Sequence, residues 1–178
     1  KDILAYCRLV VNPDDNEALK RIINYPKRGI GNTTVERLEQ ASIHRDVSIW
    51  KVIEGLPDNT IEINAVLQKK LIMFRDFITH FQAHDEKTDA YSLVHEIASK
   101  TGFLKELHAD KTPEGVSRYE NIQELLNGIK EFSEQQDVDK SDLTLDKYLQ
   151  DVALLTSEDT EDQGNNNRVS LMTIHSAK

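Results

Sequence analysis

A ten-residue segment from Tyr25 to Thr34 combines residue types that can bind an anion. It reads Tyr-Pro-Lys-Arg-Gly-Ile-Gly-Asn-Thr-Thr and lies between two stretches with helical periodicity. Two glycines one residue apart permit a positive φ and the close approach of another backbone. The amide N–H groups of the Gly-Ile-Gly turn and of the next helix start are therefore expected to face outward beside Lys27 and Arg28, where they can bind phosphate. Nothing in the segment resembles a recognition helix, so it predicts a sequence-independent contact with the phosphates of duplex DNA.

The same segment contains signals for the start of the next helix. Asn32, Thr33 or Thr34 can act as the N-cap, and Thr33 begins a Ser/Thr-x-x-Glu capping box. Ile30, between the glycines, is expected to point into the core and hold the turn closed. If Gly31 has a positive φ, the substitution Gly31→Val should destabilise the fold by about 1 to 3 kcal/mol. The spacing leaves open the alternative of a glycine-rich turn between helices with incidental charges.

No arrangement of residues in the sequence indicates an enzyme. Neighbouring carboxylates such as Asp14 and Asp15 lie in expected turns, whereas paired acid and base groups need a defined cleft. The sequence contains no Ser/His/Asp order, no His-Glu-x-x-His and no Gly-x-x-x-x-Gly-Lys-Ser/Thr phosphate loop. The histidines are isolated, and the single Cys7 excludes an internal disulfide and a cysteine cage for a metal. We expect this chain alone to have no catalytic residues, no metal site and no bound cofactor.

The charge of the chain is unevenly distributed. The formal net charge of −9 would argue against nucleic acid if it were spread evenly. Residues 131–162 hold eleven acids against Lys140 and Lys147, so this stretch carries −9 and the remaining residues sum to zero. Residues 20–37 hold five cations against one acid, a local charge of +4. A basic surface can therefore exist on this acidic chain. The acidic stretch is either a solvated face with a flexible loop or a surface that repels DNA.

Hydrophobic residues recur mostly at helical spacing, which predicts a mainly α fold of packed helices. Residues 157–168 are polar and are expected to form a mobile loop. The apolar pattern of residues 169–174 predicts the only convincing strand. A lone strand cannot satisfy its own backbone hydrogen bonds, so we expect its partner strands to lie in sequence beyond this chain. The periodicity predicts helices over residues 2–11, 16–24, 33–42, 47–54, 61–82, 90–101, 103–108, 116–132 and 143–156.

Length and composition fit one domain. A chain of 178 residues that is 38% hydrophobic can bury its own core, and Cys7 and Trp50 are expected to lie in it. No apolar run approaches the roughly 20 residues that cross a bilayer. The chain starts with Lys1 and shows no signal sequence, so we expect an interior piece of a longer protein. The single cysteine favours a reducing compartment, and we expect a cytoplasmic protein.

Three stretches, taken in order, carry a family resemblance. The chain begins KDILAYCRLVVNPDDNEALKRIINYPKRGIG, contains RYENIQELL at residues 118–126 and ends RVSLMTIHSAK. Together they resemble the UvrD/PcrA/Rep group of superfamily 1 DNA helicases, from just after motif IV, through the inserted helical subdomain called 2B, into the first half of motif V. The resemblance covers essentially the whole chain and is least specific over residues 46–110.

The resemblance implies a domain organisation. Residues 1–156 would form the helical 2B-like subdomain, which is inserted into the second RecA-like motor domain and can swivel relative to it. Residues 157–168 would be a flexible acidic and polar loop, and residues 169–178 a truncated motif V strand of the motor domain. Motif V normally continues into Gly-Leu-Glu, whereas this sequence stops at Lys178.

The resemblance also implies site residues. The Gly-Ile-Gly turn is similar to a helix-hairpin-helix element that touches the duplex ahead of the unwinding fork. The residues that match or flank this element are Lys27, Arg28, Gly29, Ile30, Gly31, Asn32, Thr33 and Thr34. Motif V lies along single-stranded DNA and couples it to the nucleotide site. The residues that match motif V are Thr173, His175, Ser176 and Lys178.

The function that the resemblance implies is an accessory DNA-binding and regulatory subdomain of an ATP-dependent helicase that translocates 3′ to 5′. ATP and Mg²⁺ would belong to the parent helicase, because the phosphate loop, the Asp-Glu metal site and the arginine finger of the family's motor are not in these residues. The expected partner is DNA at a single-strand/duplex junction, in a cytoplasmic, nucleoid-associated protein. The alternative is a helical scaffold that docks a DNA repair or replication protein. Neither function involves a membrane.

Overall fold

The computed structural model describes residues 1–56, 61–85, 88–135, 139 and 142–161, with the backbone alone at Asp85 and over residues 155–161. This part of the chain is mainly α, as predicted. The predicted strand, together with Thr173, His175, Ser176 and Lys178, lies outside the described residues. The helices are α1 (Asp2–Val11), α2 (Asn16–Ile22), α3 (Asn32–Arg45), α4 (Ile49–Glu54), α5 (Ala65–Asp85), α6 (Ala90–Lys100), α7 (Phe103–Ala109), α8 (Pro113–Ser133) and α9 (Leu145–Glu161).

Capping side chains set the starts of α2, α4, α6 and α8. The Asp15 carboxylate accepts a hydrogen bond of 2.8 Å from the amide of Ala18 at the start of α2. Such caps satisfy amide groups that a helix leaves free, so they fix where the helix begins. Helix α4 begins later than predicted because Ser48 is its cap. Helix α8 begins earlier than predicted because Thr112 caps it.

Two helix ends differ in how well the sequence predicted them. Helix α6 ends before Gly102, whose φ of 82° lies in the left-handed region, so this glycine terminates the helix as predicted. Helix α9 continues to Glu161, and the first five residues of the predicted 157–168 loop are therefore helical. An established helix adds one hydrogen bond with each further residue, so a polar stretch can extend it.

The core lies between α1 and the helices packed around it, which are α2, α5, α6 and α9. The predicted core residues Cys7 and Trp50 are buried. The helix predicted over residues 61–82 also contributes to the core, because Leu71, Phe74, Ile78 and Phe81 of α5 are buried. Among the described residues, no helix combines the length and the apolar character that crossing a membrane requires.

Candidate nucleic-acid interface

The Gly-Ile-Gly loop, defined here as residues 24–31, connects α2 to α3 and contacts α5. Ile30 is 1% exposed, which confirms its predicted inward direction. Lys27, Gly29 and Gly31 are exposed. The loop therefore presents both glycines and a lysine to solvent, while Ile30 anchors it in the core.

Asn24 fixes the shape of the loop. Its Oδ1 atom accepts hydrogen bonds of 3.0 Å from the amides of both Arg28 and Ile30. A carbonyl oxygen has two lone pairs, so one side chain can satisfy both donors. The role of Asn24 was not predicted from the sequence, although asparagine close to proline and glycine is a turn signal.

Asn24→Ala should destabilise the fold by about 1 kcal/mol, because the two loop amides lose their acceptor. A change of that size lowers the melting temperature by about 2 to 4 °C in a chain of this length. Asn24→Asp is the control, since it keeps an acceptor oxygen at the same position and should melt closer to the wild type. Thermal unfolding followed by circular dichroism measures both variants, and equal melting of Asn24→Ala and the wild type would contradict the role of Asn24.

Among the amides of residues 29–33, only that of Ile30 has a hydrogen-bond acceptor within the described part of the chain, and the other four have none. They belong to Gly29, Gly31, Asn32 and Thr33. The next amides along the helix, of Thr34 and Val35, bond to the Gly31 carbonyl at 3.0 and 3.3 Å. Free amides at a helix start carry partial positive charge and are suited to an anion.

The structure corrects the predicted start of α3. Gly31 is the N-cap, with φ −82° and ψ 166°, and no side chain caps the helix. The predicted caps Asn32, Thr33 and Thr34 lie in the first turn instead, and the predicted capping box does not form, because the Gly31 carbonyl already closes that turn. Thr34 is 7% exposed, whereas Asn32 and Thr33 are exposed. The destabilisation expected for Gly31→Val required a positive φ at Gly31. Since this φ is negative, valine at position 31 causes no backbone strain.

The left-handed residue of the loop is Gly29, with φ 70°. A Cβ atom at Gly29 would lie 2.6 Å from Nζ of Lys70. The Lys70 ammonium donates to the Gly29 carbonyl at 3.5 Å. At Gly31, a Cβ atom would meet nothing within 4 Å. The positive φ and the close Lys70 ammonium therefore both favour glycine at position 29. At position 31 the negative φ and the open space around Cβ permit other residues.

Arg28 faces inward, although the sequence predicted an outward cation. Its Nη1 atom donates to the carbonyl oxygen of Ile22 at 3.0 Å, and its Nη2 atom donates to the Tyr6 hydroxyl. The guanidinium carbon also lies 5.2 Å from the ring centre of Phe74. Arg28 therefore satisfies a carbonyl at the end of α2 and packs against core rings. The neighbouring Lys27 is exposed and has no ion pair among the described residues.

Tyr6 connects α1 to the loop. Its hydroxyl donates to the Tyr25 carbonyl at 2.6 Å and accepts the hydrogen bond from Arg28. Burial raises the pKa of Tyr6, and the nearby Arg28 charge opposes that rise only in part. The hydroxyl therefore keeps its proton at neutral pH and can donate and accept at the same time. The Tyr6 ring also meets the Phe103 ring edge-on, with 5.6 Å between centroids.

Two further lysines lie beside the loop. Lys70 of α5 and Lys100 of α6, with Lys27 and Arg28, border a groove of about 540 Å³. Neither Lys70 nor Lys100 was predicted from the sequence as a site residue. Their positions around this groove depend on how α5 and α6 pack, and Lys70, which contacts the loop, is 41 positions from Gly29 along the chain.

The sequence of the chain matches the model of a known protein family over its whole length. The family model of the UvrD-like helicase C-terminal domain matches residues 1–178, and the chain belongs to this family. The predicted resemblance to the UvrD/PcrA/Rep group of superfamily 1 helicases is thereby confirmed.

The relatives within this family are DNA helicases. The chain is 38% identical over 183 residues to the ATP-dependent DNA helicase PcrA of Bacillus subtilis (strain 168). It is 32% identical over 178 residues to PcrA of Staphylococcus aureus (strain Mu50) and 30% identical to PcrA of Staphylococcus epidermidis. Each alignment covers 100% of this chain and 24% of the relative, so the chain spans about a quarter of the length of these helicases.

Proposed function

We propose that this chain is the accessory DNA-binding and regulatory subdomain of an ATP-dependent DNA helicase that translocates 3′ to 5′. The relatives described above are ATP-dependent DNA helicases. The observation that carries the DNA contact is the group of four free amides beside the exposed Lys27. Amide and ammonium groups complement phosphate oxygens without reading the bases, which suits an enzyme that moves along any sequence.

The loop residues have two kinds of role in this proposal. The amides of Gly29, Gly31, Asn32 and Thr33 bind a phosphate of the duplex near the unwinding junction, and Lys27 adds charge. The residues that position these groups are Ile30, Arg28 and Thr34. A change in the orientation of the subdomain relative to the motor then restrains or releases unwinding.

The intact helicase would use ATP and Mg²⁺, but the described residues of this chain do not fit either group. The sequence contains no Gly-x-x-x-x-Gly-Lys-Ser/Thr phosphate loop. Within the described ranges, no cluster of three His, Cys, Asp or Glu side chains is placed to hold a metal ion. We therefore assign no nucleotide or metal contact to it. The 2B-like subdomain over residues 1–156 and the motif V contact of residues 169–178 with single-stranded DNA remain part of the proposal.

Gly31→Asp should separate stability from DNA binding. Aspartate is a better N-cap than glycine by a few tenths of a kcal/mol, and a helix start favours negative charge. A Cβ atom at this position also meets open space. The melting temperature should therefore stay the same or rise slightly. The new carboxylate lies where the phosphate is proposed to bind, so the dissociation constant should move beyond roughly 10⁻⁴ M, the weak limit of non-specific binding.

Fluorescence anisotropy with a labelled single-strand/duplex junction and a labelled blunt duplex, at low and moderate salt, measures this effect. The wild type should bind at roughly 10⁻⁴ to 10⁻⁶ M with a strong salt dependence. Lys27→Glu should lose binding as well, while Lys111→Glu, an exposed lysine outside the interface, should keep it. If the wild type binds no DNA, the proposal is wrong, and docking of a repair or replication protein becomes the better account.

A further inference from the structure

A groove lies between the Gly-Ile-Gly loop and the helices α5 and α6. Its volume is about 540 Å³. The cations at its border include Lys27, Lys70 and Lys100, and the apolar side chains that line it include Met73 and Phe77. Met73 is 62% exposed, so an apolar surface faces solvent between the lysines. The proposed duplex contact shares Lys27 with this groove but does not use the apolar surface.

The positive charge of the groove is largely uncompensated. Lys27 and Lys70 have no ion pair among the described residues, and no acid lines the groove. Lys100 differs, because its ammonium is 2.6 Å from the Glu96 carboxylate. An anion that enters the groove therefore meets two ammonium groups, those of Lys27 and Lys70, whose charge is not neutralised by an ion pair.

The size and lining of the groove select its ligand. Its volume falls in the range of about 300 to 1,000 Å³ that is typical of small-ligand clefts, which admits a nucleotide and excludes a double helix. Cations beside apolar side chains are typical of grooves for single-stranded nucleic acid, where the cations bind phosphates and the apolar groups contact bases. Base pairs inside a duplex expose only their edges and cannot pack on Met73 or Phe77.

We propose that this groove binds an unpaired nucleotide of the DNA strand whose duplex part is held at the loop. Lys27 and Lys70 bind its phosphate, and its base contacts Met73 and Phe77. The inference rests on the proposed duplex contact, and the two sites are continuous, since the Lys70 ammonium is 3.5 Å from the Gly29 carbonyl. A single-strand/duplex junction then engages both sites at once, whereas a blunt duplex engages only the loop.

Two pairs of matched variants on α5 test this assignment. Lys70→Glu and Met73→Glu change the groove, while Lys69→Glu and Val66→Glu make the same substitutions at exposed positions of α5 that do not line it. Labelled oligothymidylate and a labelled blunt duplex are titrated at several salt concentrations, after thermal melting has shown that each variant is folded. Phe77 is left unchanged because its ring packs against Phe81 at 5.0 Å between centroids.

With oligothymidylate, Met73→Glu should bind at least about fivefold more weakly than Val66→Glu, because it removes a base contact and adds a like charge. Lys70→Glu should reduce the salt dependence by about 0.7 in the slope of log K against log salt, as expected for one lost phosphate contact on a single strand. Met73→Glu should leave the affinity for the blunt duplex unchanged.

The inference is overturned if Met73→Glu binds oligothymidylate as Val66→Glu does, or if Lys70→Glu keeps the salt slope of Lys69→Glu. It is also overturned if thymidine monophosphate, at equal nucleotide concentration, displaces the oligonucleotide, since the groove would then be a pocket for free nucleotides. Failure of the proposed duplex contact gives a different result. It is detected with the blunt duplex and Gly31→Asp, whereas failure of the groove is detected with oligothymidylate and the α5 variants.

Discussion

Arg28→Ala should lower the free energy of unfolding by about 2 to 3 kcal/mol, which is the largest stability effect we expect from the loop. The guanidinium makes charge-assisted hydrogen bonds to the Ile22 carbonyl and the Tyr6 hydroxyl, and it lies over the Phe74 ring. Removing it takes one of two donors from the Ile22 carbonyl, which also accepts from the Tyr25 amide at 3.0 Å, and it takes away the donor to the Tyr6 hydroxyl and a contact to the core. In a chain of this length the melting temperature should fall by about 5 to 10 °C.

Thermal unfolding of three variants checks this expectation. Arg28→Lys keeps the charge but lacks the planar fork that reaches several acceptors, so it should be destabilised nearly as much as Arg28→Ala. Lys27→Ala changes the neighbouring exposed cation and should stay within about 0.5 kcal/mol of the wild type. Similar melting of Arg28→Ala and Lys27→Ala would show that the inward contacts of Arg28 contribute nothing to stability.

Gly29→Val should destabilise the fold by about 1 to 3 kcal/mol, because a β-branched residue is strained at the φ of 70° found there. The new side chain must also displace the Lys70 ammonium, which lies 2.6 Å from the position of Cβ. Asparagine tolerates the left-handed region better than valine, so Gly29→Asn should be less destabilised. The two variants together separate backbone strain from the simple presence of a side chain.

Gly31→Val is the matched control for Gly29→Val. Gly31 has a negative φ, and a Cβ atom there meets nothing within 4 Å, so the same substitution should cost only about 0.5 kcal/mol as a poorer N-cap. Equilibrium unfolding in urea gives the free energies and shows whether the slope with denaturant is constant. If both valine variants unfold at the same urea concentration, the conformation assigned to Gly29 is wrong.

The fold could be predicted from the sequence because its main signal is local. The apolar residues of α5 recur every three or four positions, and this spacing predicts a helix whose buried face includes Leu71, Phe74 and Ile78. Helix boundaries were less accurate, because one hydrogen bond from a capping side chain decides them. Ser48 and Thr112 each shifted a boundary in this way.

The candidate site could be predicted only in part. Its loop is contiguous in sequence, so the exposed glycines and the buried Ile30 followed from residue type. The direction of Arg28 did not, because it depends on Tyr6, which is 22 positions away in the sequence and packs beside the loop through α1. Lys70 was missed for the same reason, since only the packing of α5 brings it to Gly29. Periodicity predicts which face of a helix is buried but does not predict which helix lies beside a given loop.

The hydrogen bonds of Asn24 and Tyr6 have a consequence for the thermodynamics of association. They hold the loop in its conformation through hydrogen bonds within the chain. A preorganised loop has little flexibility to lose when a ligand arrives, so the entropic penalty of complex formation is small. The rate of encounter is then governed mainly by electrostatic attraction and diffusion, and not by a slow rearrangement of the loop.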